Sequence, residues 1–502
     1  MLAPAQGHSP LLHSLTGAME PTSQIEPALD GVGGLEAARL VEDLTTPIGA
    51  LVSRPPLAVS PEATVAEAAL AMREAGSSSA LITDEPPGIV TDTDLRSRVL
   101  AERLSPDTPV RAVMSSPLES FPADTPLFEA LRRMLERGVH HLPVTRGGRI
   151  VGIVRDTELL RHQARSPLLL VNRVEHLEQP ADVPADYSRE VARIAEALFE
   201  GGLGVVQIAR VLATVNDALV KGLLGLAERE LGPPPCPYSW VVLGSEGRME
   251  QVLLSDQDNA LVYLEDGGDA RAYFTSVASR VVDGLIQAGF PRCPGGYMAT
   301  NWCRPLADWE ALFRQWLEVP EPQALLEAQV FLDFRAVHGG LSLEPLDEIL
   351  LAGGRRALFL HQMARAALTF RPPLGPFGRI HTDEGAVDLK AGGIAATVML
   401  ARVYALAAGA GARPTLERLG AAADAGTLSR SGAEILAETF RFLTRLRLQE
   451  QLRSLRAGEP PSNRVLVEAL SPLERRRLKE ALQAVRKLQD ATALRYRTRD
   501  IA

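Results

Sequence analysis

The sequence predicts a multidomain α/β protein that ends in an all-helical domain. An internal repeat with an offset of 62 to 64 residues occupies about residues 41–166. Strands and helices then alternate to about residue 337, and helical periodicity continues from there to the end of the chain. A chain of 502 residues is too long for one hydrophobic core, because single cores stop growing near roughly 250–300 residues.

The composition excludes several classes of protein. Hydrophobic residues make up 46% and charged residues 23% of the chain, and the formal net charge is −9. This balance argues against a basic nucleic-acid-binding surface, and only 5% aromatic residues argues against a base-stacking platform. We therefore expect no nucleic-acid partner. The basic residues at 475–487 alternate with acidic ones, which is typical of a solvated helix face.

Cysteine usage and hydropathy indicate the compartment. The three cysteines have no Cys-x-x-Cys spacing, so a zinc site or a disulfide framework is not expected, and a reducing cytoplasm is predicted. No basic residue precedes Arg39, and a signal peptide is therefore not expected. The apolar stretch at 394–412 contains Arg402 and many small residues, which predicts a buried core helix and no membrane span.

The internal repeat predicts two copies of one β-α-β-β-α unit. Each copy has an amphipathic helical first half, then a short β-rich run, a strand that begins at glycine, and a second helix. We expect the two units to bury their apolar faces against each other. The matching segments are Glu67-Ala68 with Glu129-Ala130, Met72 with Met134, Gly76 with Gly138, and Gly88-Ile-Val90 with Gly152-Ile-Val154.

A second feature is a Gly-Ser dipeptide followed by paired aspartates. The predicted strand at 240–243 runs into Gly244-Ser245 and a predicted helix, whose first N–H groups suit a phosphate. Asp256 and Asp258 follow about ten residues later at the start of another strand, so their side chains share one face. Two carboxylates on one face repel each other, and a cation between them would neutralise this repulsion. Mg²⁺, which binds carboxylates together with substrate phosphates, is the predicted cation.

At these residues the sequence resembles the DNA polymerase beta-like nucleotidyltransferase superfamily. It is most similar to bacterial proteins that join CBS domains to a domain related to the N-terminal nucleotidyltransferase domain of PII-protein uridylyltransferase. The resemblance extends over about residues 41–500. It includes Leu332-Asp-Phe-Arg335, Val387-Asp-Leu-Lys-Ala-Gly-Gly393, Ala401-Arg-Val-Tyr-Ala-Leu406 and Leu446-Arg-Leu-Gln449. The His-Asp dipeptide used by the uridylyltransferase's hydrolase domain is absent from the sequence, so reverse transfer is not expected.

The resemblance implies a role for each residue of the motif. Gly244 and Ser245 hold the nucleotide phosphates, Asp256 and Asp258 hold magnesium as catalytic carboxylates, and Arg248 contacts the triphosphate. The superfamily usually has a third carboxylate on a later strand, for which Asp333 is the candidate, followed by Glu327. Lys390 beside Gly392-Gly393 either closes on phosphates or is a solvated lysine at a helix start.

The repeat resembles a tandem CBS pair. In that family a threonine contacts phosphate and an aspartate three residues later accepts hydrogen bonds from ribose. Thr91 and Asp94 match these positions, whereas the second copy has Arg155 and Glu158. The resemblance implies one strong site for AMP or ATP and assembly as a homodimer; the alternative is a pair that only dimerises.

These observations predict five segments: a disordered leader (1–40), the CBS pair (41–166), a helical connector (167–236), the nucleotidyltransferase domain (237–345) and a helical substrate-binding domain (346–502). The predicted function is Mg²⁺-dependent transfer of a nucleoside monophosphate from UTP or ATP to a hydroxyl of a protein or small molecule, regulated by adenine nucleotide. The alternative is a catalytically silent, nucleotide-sensing regulator with the same fold.

Overall fold

The computed structural model describes residues 46–52, 54–137, 139–155, 167–253, 256–265, 267–319, 325, 328–375 and 378–498. The leader predicted for 1–40 lies outside these residues, as do Glu158 and Glu327. The described residues form mixed α/β structure up to about residue 339 and mainly helices beyond it. The predicted fold class is confirmed.

The two repeats form two three-stranded sheets of the same topology. In each sheet the first strand pairs parallel with the second, and the second pairs antiparallel with the third. A helix after each first strand buries one face, with Met72 and Met134 at equivalent positions. The elements are β1 (Ala58–Val59), α1 (Val65–Glu74), β2 (Ser79–Ile82), β3 (Gly88–Thr91), β4 (Phe121–Pro122), α2 (Leu127–Arg137), β5 (His141–Arg146) and β6 (Arg149–Arg155).

Side-chain caps define where the helices of the first repeat begin. At α1 the Thr64 hydroxyl accepts a hydrogen bond from the Glu67 amide (3.1 Å), and the Glu67 carboxylate accepts one from the Thr64 amide (2.8 Å). Such a box pairs two amides that the first helical turn leaves without partners. After β3 the chain is helical over Asp92–Asp94 and Leu95–Leu100, where Thr91 and Asp94 form a second box.

Three helices connect the repeats to the central sheet: α3 (Pro167–Glu175), α4 (Tyr187–Glu200) and α5 (Val205–Leu231). The 27-residue helix α5 packs against α3 and also against α2 of the second repeat. A Cβ at Gly222 would lie 1.8 Å from the Val174 carbonyl oxygen, so only glycine permits this close crossing of α3 and α5. Helix α5 therefore contacts the repeat pair directly.

A four-stranded mixed sheet forms the centre of the molecule. Its order is β10-β7-β8-β9; β7 is antiparallel to both neighbours, and β8 is parallel to β9. All residues of β7 and β8 are buried because helices cover both faces. The elements are β7 (Tyr238–Val242), α6 (Gly244–Gly247), β8 (Asn259–Tyr263), α7 (Gly268–Gln287), β9 (Cys303–Pro305), α8 (Leu306–Glu318) and β10 (Arg335–Gly339).

The two faces of this sheet belong to two hydrophobic cores. One core joins the sheet to α4, α5 and α7, and the other joins it to α8 and the helices that follow. The boundary predicted at residue 237 therefore falls between α5 and β7, which share a core, and the boundary predicted at residue 346 falls inside the helix Glu344–Gly353. The connector and the C-terminal helices enclose the sheet from opposite sides.

The C-terminal part consists of helices and one short two-stranded sheet. Its elements are α9 (Glu344–Gly353), α10 (Ala357–Ala367), β11 (Ala386–Asp388), α11 (Ala395–Ala407), α12 (Thr415–Asp424), α13 (Arg430–Arg456), β12 (Arg464–Leu466) and α14 (Pro472–Arg495). Among the described residues, one helical window, Lys390–Ala407, is long and apolar enough to cross a membrane, and 78% of it is buried inside the protein. The predicted burial of this stretch is confirmed.

Candidate active site

The Gly244-Ser245 turn and the Asp256/Asp258 pair meet at one end of the central strands. The Leu243 amide donates to the Asp258 carbonyl (2.9 Å), and the Gly244 amide donates to the Val330 carbonyl (3.0 Å). Gly244 has a φ of 55°, and a Cβ there would lie 3.3 Å from Asp258 Oδ2. Glycine thus permits both the left-handed backbone and the approach of this carboxylate. The two halves of the sequence motif, 14 positions apart, are neighbours in space.

The predicted helix at Gly-Ser is present and very short. Helix α6 has four residues, a single turn. The Gly244 amide already donates to Val330, so within the described residues the Ser245 amide and hydroxyl are the groups of this dipeptide left for a phosphate. A Cβ at Gly247 would lie 1.7 Å from the Asp333 carbonyl oxygen, so α6 rests directly on the chain before β10.

Asp256 and Asp258 are half-buried residues that immediately precede β8. Burial raises the pKa of Asp258 to about 6, and the nearby charge of Asp256 adds to that rise. A hydrogen bond with Cys293 and the positive charges of Lys390 and Arg248 act in the opposite direction. The negative charge of Asp256 thus acts on Asp258 in the direction of repulsion.

Lys390, in the C-terminal part of the chain, acts electrostatically on Asp258. It opens the π-helical segment Lys390–Ile394 after β11, and its side chain is exposed. Its charge lowers the pKa of Asp258, which places the ammonium in electrostatic range of the carboxylate. The phosphate contact and the solvated lysine at a helix start both stay predictions for this residue.

The donor set fits a magnesium ion that also binds substrate. Mg²⁺ commonly uses one or two carboxylates together with phosphate oxygens and waters. Two repelling carboxylates, one with a raised pKa, supply the charge that such an ion would neutralise. Among the described residues no group of three or more His, Cys, Asp or Glu side chains could hold a metal ion. The remaining ligands would come from the nucleotide and from water.

The structure places Asp333 in a cluster of arginines and not in a metal-holding group with Asp256 and Asp258. Its side chain is fully buried. Oδ1 accepts from Arg418 (2.6 Å), and Oδ2 accepts from Arg248 (2.5 Å) and from Arg402. These guanidinium groups outweigh the effect of burial and hold the pKa of Asp333 well below its usual range. Both oxygens of the residue predicted as the third catalytic carboxylate therefore already have cationic partners.

Arg248 is also engaged inside the protein. Its Nη1 donates to Asp333, and its Nε donates to Glu250 (2.7 Å). Glu250 in turn accepts from the amide and the hydroxyl of Thr415 at the start of α12. Two of the three guanidinium nitrogens of Arg248 therefore have acidic partners inside the protein. In this arrangement Arg248 joins the turn after β7 to the C-terminal helices.

Sequence reasoning missed two buried acids beside the site, Glu246 and Asp217. Glu246 lies in α6 and is 8% exposed; burial raises its pKa to about 8, and the charges of Asp217 and Asp258 add to the rise. Asp217 comes from α5 and accepts two hydrogen bonds from Arg335 (2.7 and 3.0 Å). The available signal was an Asn-Asp dipeptide at 216–217 within an apolar helix, because an acid there needs a partner.

The raised pKa of Glu246 predicts a pH-dependent stability. The unfolded chain loses this proton near the ordinary value of 4.5, whereas the folded protein keeps it until about 8. The stabilisation that the protonated Glu246 gives to the folded state is therefore complete below pH 4.5 and is lost as the pH rises through 8. Because of Glu246, the free energy of unfolding of the wild type should fall by about 3 kcal/mol between pH 5 and pH 8. We expect Glu246→Gln to lack this fall, as measured by urea unfolding with EDTA. Glu265→Gln, at an exposed position, is the control; the same pH profile for Glu246→Gln and wild type would contradict the prediction.

The predicted CBS ligand residues are held by the box after β3. The Thr91 hydroxyl donates to Asp94 Oδ2 (2.7 Å), the Thr91 amide donates to the same oxygen (2.9 Å), and Asp94 Oδ1 faces Arg98 Nε (3.3 Å). In the second repeat Arg155 Nη1 donates to the Ser78 hydroxyl of the first (3.4 Å). The two copies therefore differ at the equivalent position, and Arg155 contacts the other repeat.

Comparison with known families agrees with this order of domains. The CBS domain model matches residues 48–101 and 110–165, the model described as "Putative nucleotidyltransferase DUF294" matches 189–323, and the model described as "Putative nucleotidyltransferase substrate binding domain" matches 357–496. The chain belongs to the CBS-containing DUF294 family. The DUF294 match begins within α4, so the family definition includes the helices that share a core with the sheet.

Individual relatives of this DUF294 protein match shorter regions. The uncharacterized protein MK0525 of Methanopyrus kandleri is 34% identical over 119 residues, which cover 23% of this chain and 61% of that protein. The CBS domain-containing protein CBSCBSPB1 of Arabidopsis thaliana is 45% identical over 102 residues, covering 20% of this chain and 19% of that one. A solved structure of an uncharacterized conserved protein from Pyrococcus horikoshii is 32% identical, covers 24% of this chain and 96% of that one, and has a TM-score of 0.23.

Proposed function

We propose that this DUF294 protein is a Mg²⁺-dependent nucleotidyltransferase that transfers a nucleoside monophosphate from UTP or ATP to an acceptor hydroxyl. The observation that carries the proposal is the position of the Asp258 carboxylate beside Gly244 at the end of β7, where a Cβ would lie 3.3 Å from Oδ2. The charges of Asp256 and Lys390 both act on this carboxylate. This combination suits a substrate that carries both phosphates and a bound cation.

Each residue has a distinct task in this proposal. The acceptor oxygen attacks the α-phosphorus, and pyrophosphate leaves on the opposite side. A bound Mg²⁺ would neutralise charge on the phosphates. Ser245 donates hydrogen bonds to a phosphate, Lys390 balances negative charge, and Asp256 and Asp258 hold the site in a negatively charged state when no nucleotide is bound.

The wider context of the protein is part of the proposal. The acceptor is a protein or a small molecule, and transfer resembles that of the uridylyltransferase in the forward direction. The protein acts in the cytoplasm as a homodimer assembled through its CBS pair, without a membrane or nucleic-acid partner, and takes part in signal transduction.

The test is transfer of label. Purified full-length protein is incubated with Mg²⁺, each α-³²P-labelled nucleoside triphosphate in turn, and lysate of the source organism. We expect one nucleotide to label a discrete macromolecule or small molecule in a Mg²⁺-dependent reaction. Absence of labelled product with all four nucleotides, while the protein still binds one of them, would support the rival function of a silent, nucleotide-sensing regulator. The rival is favoured by one observation, the engagement of Asp333 by arginines.

The CBS pair is proposed to bind AMP or ATP at one strong site per chain. Asp94 is oriented by the hydrogen bonds that it accepts from Thr91, and in this proposal it accepts hydrogen bonds from ribose hydroxyls. We expect Asp94→Ala to weaken binding of AMP at least tenfold, measured by calorimetry, because a ribose hydroxyl loses its acceptor. Asp92→Ala, at an exposed position in the same helical segment, should bind like wild type. Two equal sites per chain, or undiminished binding by Asp94→Ala, would contradict the prediction.

Helix α5 is the element that can couple this ligand to transfer. It packs against α2 of the CBS pair at one place and bears Asp217, the partner of Arg335, at another. A ligand shifts an equilibrium only through its differential affinity for two arrangements, and a hundredfold preference corresponds to about 2.7 kcal/mol.

We therefore expect AMP or ATP analogues to change the transfer rate severalfold in the intact chain. Deletion of residues 1–166 should remove the response and keep basal transfer, because α3, which packs against α5 at Gly222, remains in place. The measurement is initial rate with and without a saturating non-hydrolysable ligand. Equal rates in the intact chain would mean that the CBS pair serves dimerisation alone.

A further inference from the structure

A polar cavity of about 360 Å³ lies between the end of α10 and the middle of α14 in the C-terminal domain. Three arginines line it: Arg365 and Arg371 at and beyond the end of α10, and Arg486 on α14. Asp490 is the one acidic residue among the lining residues, so the lining carries an excess of two positive charges. This local excess contrasts with the net charge of −9 for the whole chain.

Within the described residues, the protein provides no carboxylate for these three arginines. Among residues 46–498 that the structure describes, no carboxylate oxygen lies within ion-pair distance of Arg365, Arg371 or Arg486, and the side chain of Arg365 donates a long hydrogen bond (3.5 Å) to the Gln362 side chain. Exposed arginines often remain unpaired, but three that converge on one cavity concentrate positive potential there.

The carbonyls at the end of α10 do not explain the arginines either. Basic side chains often cap a helix C-terminus by donating to its last carbonyl oxygens. Here the buried amide of Gln489 donates to the carbonyls of Ala367 (3.0 Å) and Phe370 (2.8 Å), and the Thr369 hydroxyl donates to that of Ala366 (2.7 Å). The guanidinium groups are thus left for a ligand.

A further polar atom in the lining lacks a partner. The Oγ1 atom of Thr498 is buried and makes no hydrogen bond with any residue that the structure describes. A buried hydroxyl without a partner is costly, and a ligand oxygen or a water in the cavity would satisfy it. Arginine forks together with a hydroxyl are the groups that recognise phosphate.

We propose that this cavity binds the phosphate group of a small, phosphorylated acceptor. Its volume is near the lower end of the range for small-molecule sites, roughly 300–1,000 Å³, which suits a molecule the size of a sugar phosphate. Helix α10 links it to the candidate active site, because Met363 Sδ accepts from Gln329 (3.6 Å), next to the Val330 that binds Gly244. The ligand's role as acceptor rests on the proposed transferase function, whereas its binding does not.

The test separates binding from catalysis. Binding of inorganic phosphate and of glycerol 3-phosphate, with glycerol as the uncharged comparison, is measured by calorimetry on the full chain carrying Ser245→Ala and Lys390→Ala, so that the phosphate-binding groups of the candidate active site do not contribute. We expect Arg371→Ala with Arg486→Ala to weaken the binding of both phosphates at least tenfold. Arg475→Ala with Lys487→Ala removes the same charge from exposed positions of α14 outside the cavity and should bind like the parent.

Two results would overturn the proposal: equal loss of binding in both double variants, which would indicate a general charge effect, or no phosphate binding by the parent at tens of millimolar. Circular dichroism verifies that the variants fold. If phosphate binds but no nucleotide is ever transferred, the cavity is a ligand site and the transferase proposal alone fails. In an active enzyme, glycerol 3-phosphate should compete with the acceptor and not with the nucleoside triphosphate.

Discussion

Replacement of Asp256 and Asp258 together by asparagine is expected to lower nucleotidyl transfer by at least about a thousandfold. An amide carries no charge to balance a divalent cation, and both acids lie at the phosphate-binding turn. The fold should survive, because burial raises the pKa of Asp258 and its ionised form is therefore a destabilising group. The measurement is the rate of label transfer from the nucleotide, combined with urea unfolding of the same variant.

Glu265→Gln is the matched control for this pair. It removes a carboxylate from the end of β8, at an exposed position away from the turn. We expect it to transfer at the wild-type rate. Unchanged turnover in the double asparagine variant would exclude the two aspartates as catalytic groups and with them the proposed site.

The second large effect is expected on stability. Asp333→Asn should lower the free energy of unfolding by about 3–5 kcal/mol, because it leaves Arg248, Arg402 and Arg418 buried without their shared counter-ion. Arg402 and Arg418 are each 2% exposed, so water cannot replace the lost carboxylate. The measurement is the urea midpoint and slope at neutral pH.

Asp347→Asn provides the comparison. Asp347 pairs with Arg413, but the aspartate side chain is exposed, so this ion pair should contribute less than about 1 kcal/mol to the free energy of unfolding. The same experiment separates two roles for Asp333. A third metal ligand would lose transfer while keeping stability, whereas the centre of an ion cluster would lose stability first. A change of less than 1 kcal/mol in Asp333→Asn would contradict the structural role.

The elements predicted from the sequence were those whose signals are local. Met72 and Met134 recur in the sequence repeat and lie on equivalent buried helix faces. Gly244 follows β7 and Asp258 precedes β8, and these two strands are neighbours in the sheet. In such cases a short spacing along the chain determines what meets in space. The family resemblance then supplied the chemistry that spacing alone leaves open.

The ion cluster could not be predicted in the same way. Asp333 is 85 residues from Arg248 and 69 from Arg402, and each of them had a reasonable local interpretation. Asp333 matched a carboxylate expected on a late strand, and Arg248 followed a phosphate-binding motif. The one indication was Arg402 itself, an arginine inside an apolar helix, since a buried guanidinium requires a carboxylate. Sequence showed that a partner was needed but not which of the 62 acidic residues supplied it.

The hydrogen bonds from Thr415 to Glu250 have a consequence for how this architecture can change during evolution. They join Glu250, inside the 189–323 match, to Thr415, inside the 357–496 match. Arg402 and Arg418 of the second match pair with Asp333, which lies between the two matches. A recombination event that exchanged either domain alone would leave buried acids or arginines without their ion-pair partners. The two domains are therefore constrained to be inherited as a unit, whereas the CBS pair, attached through the surface of α5, is the part most open to replacement.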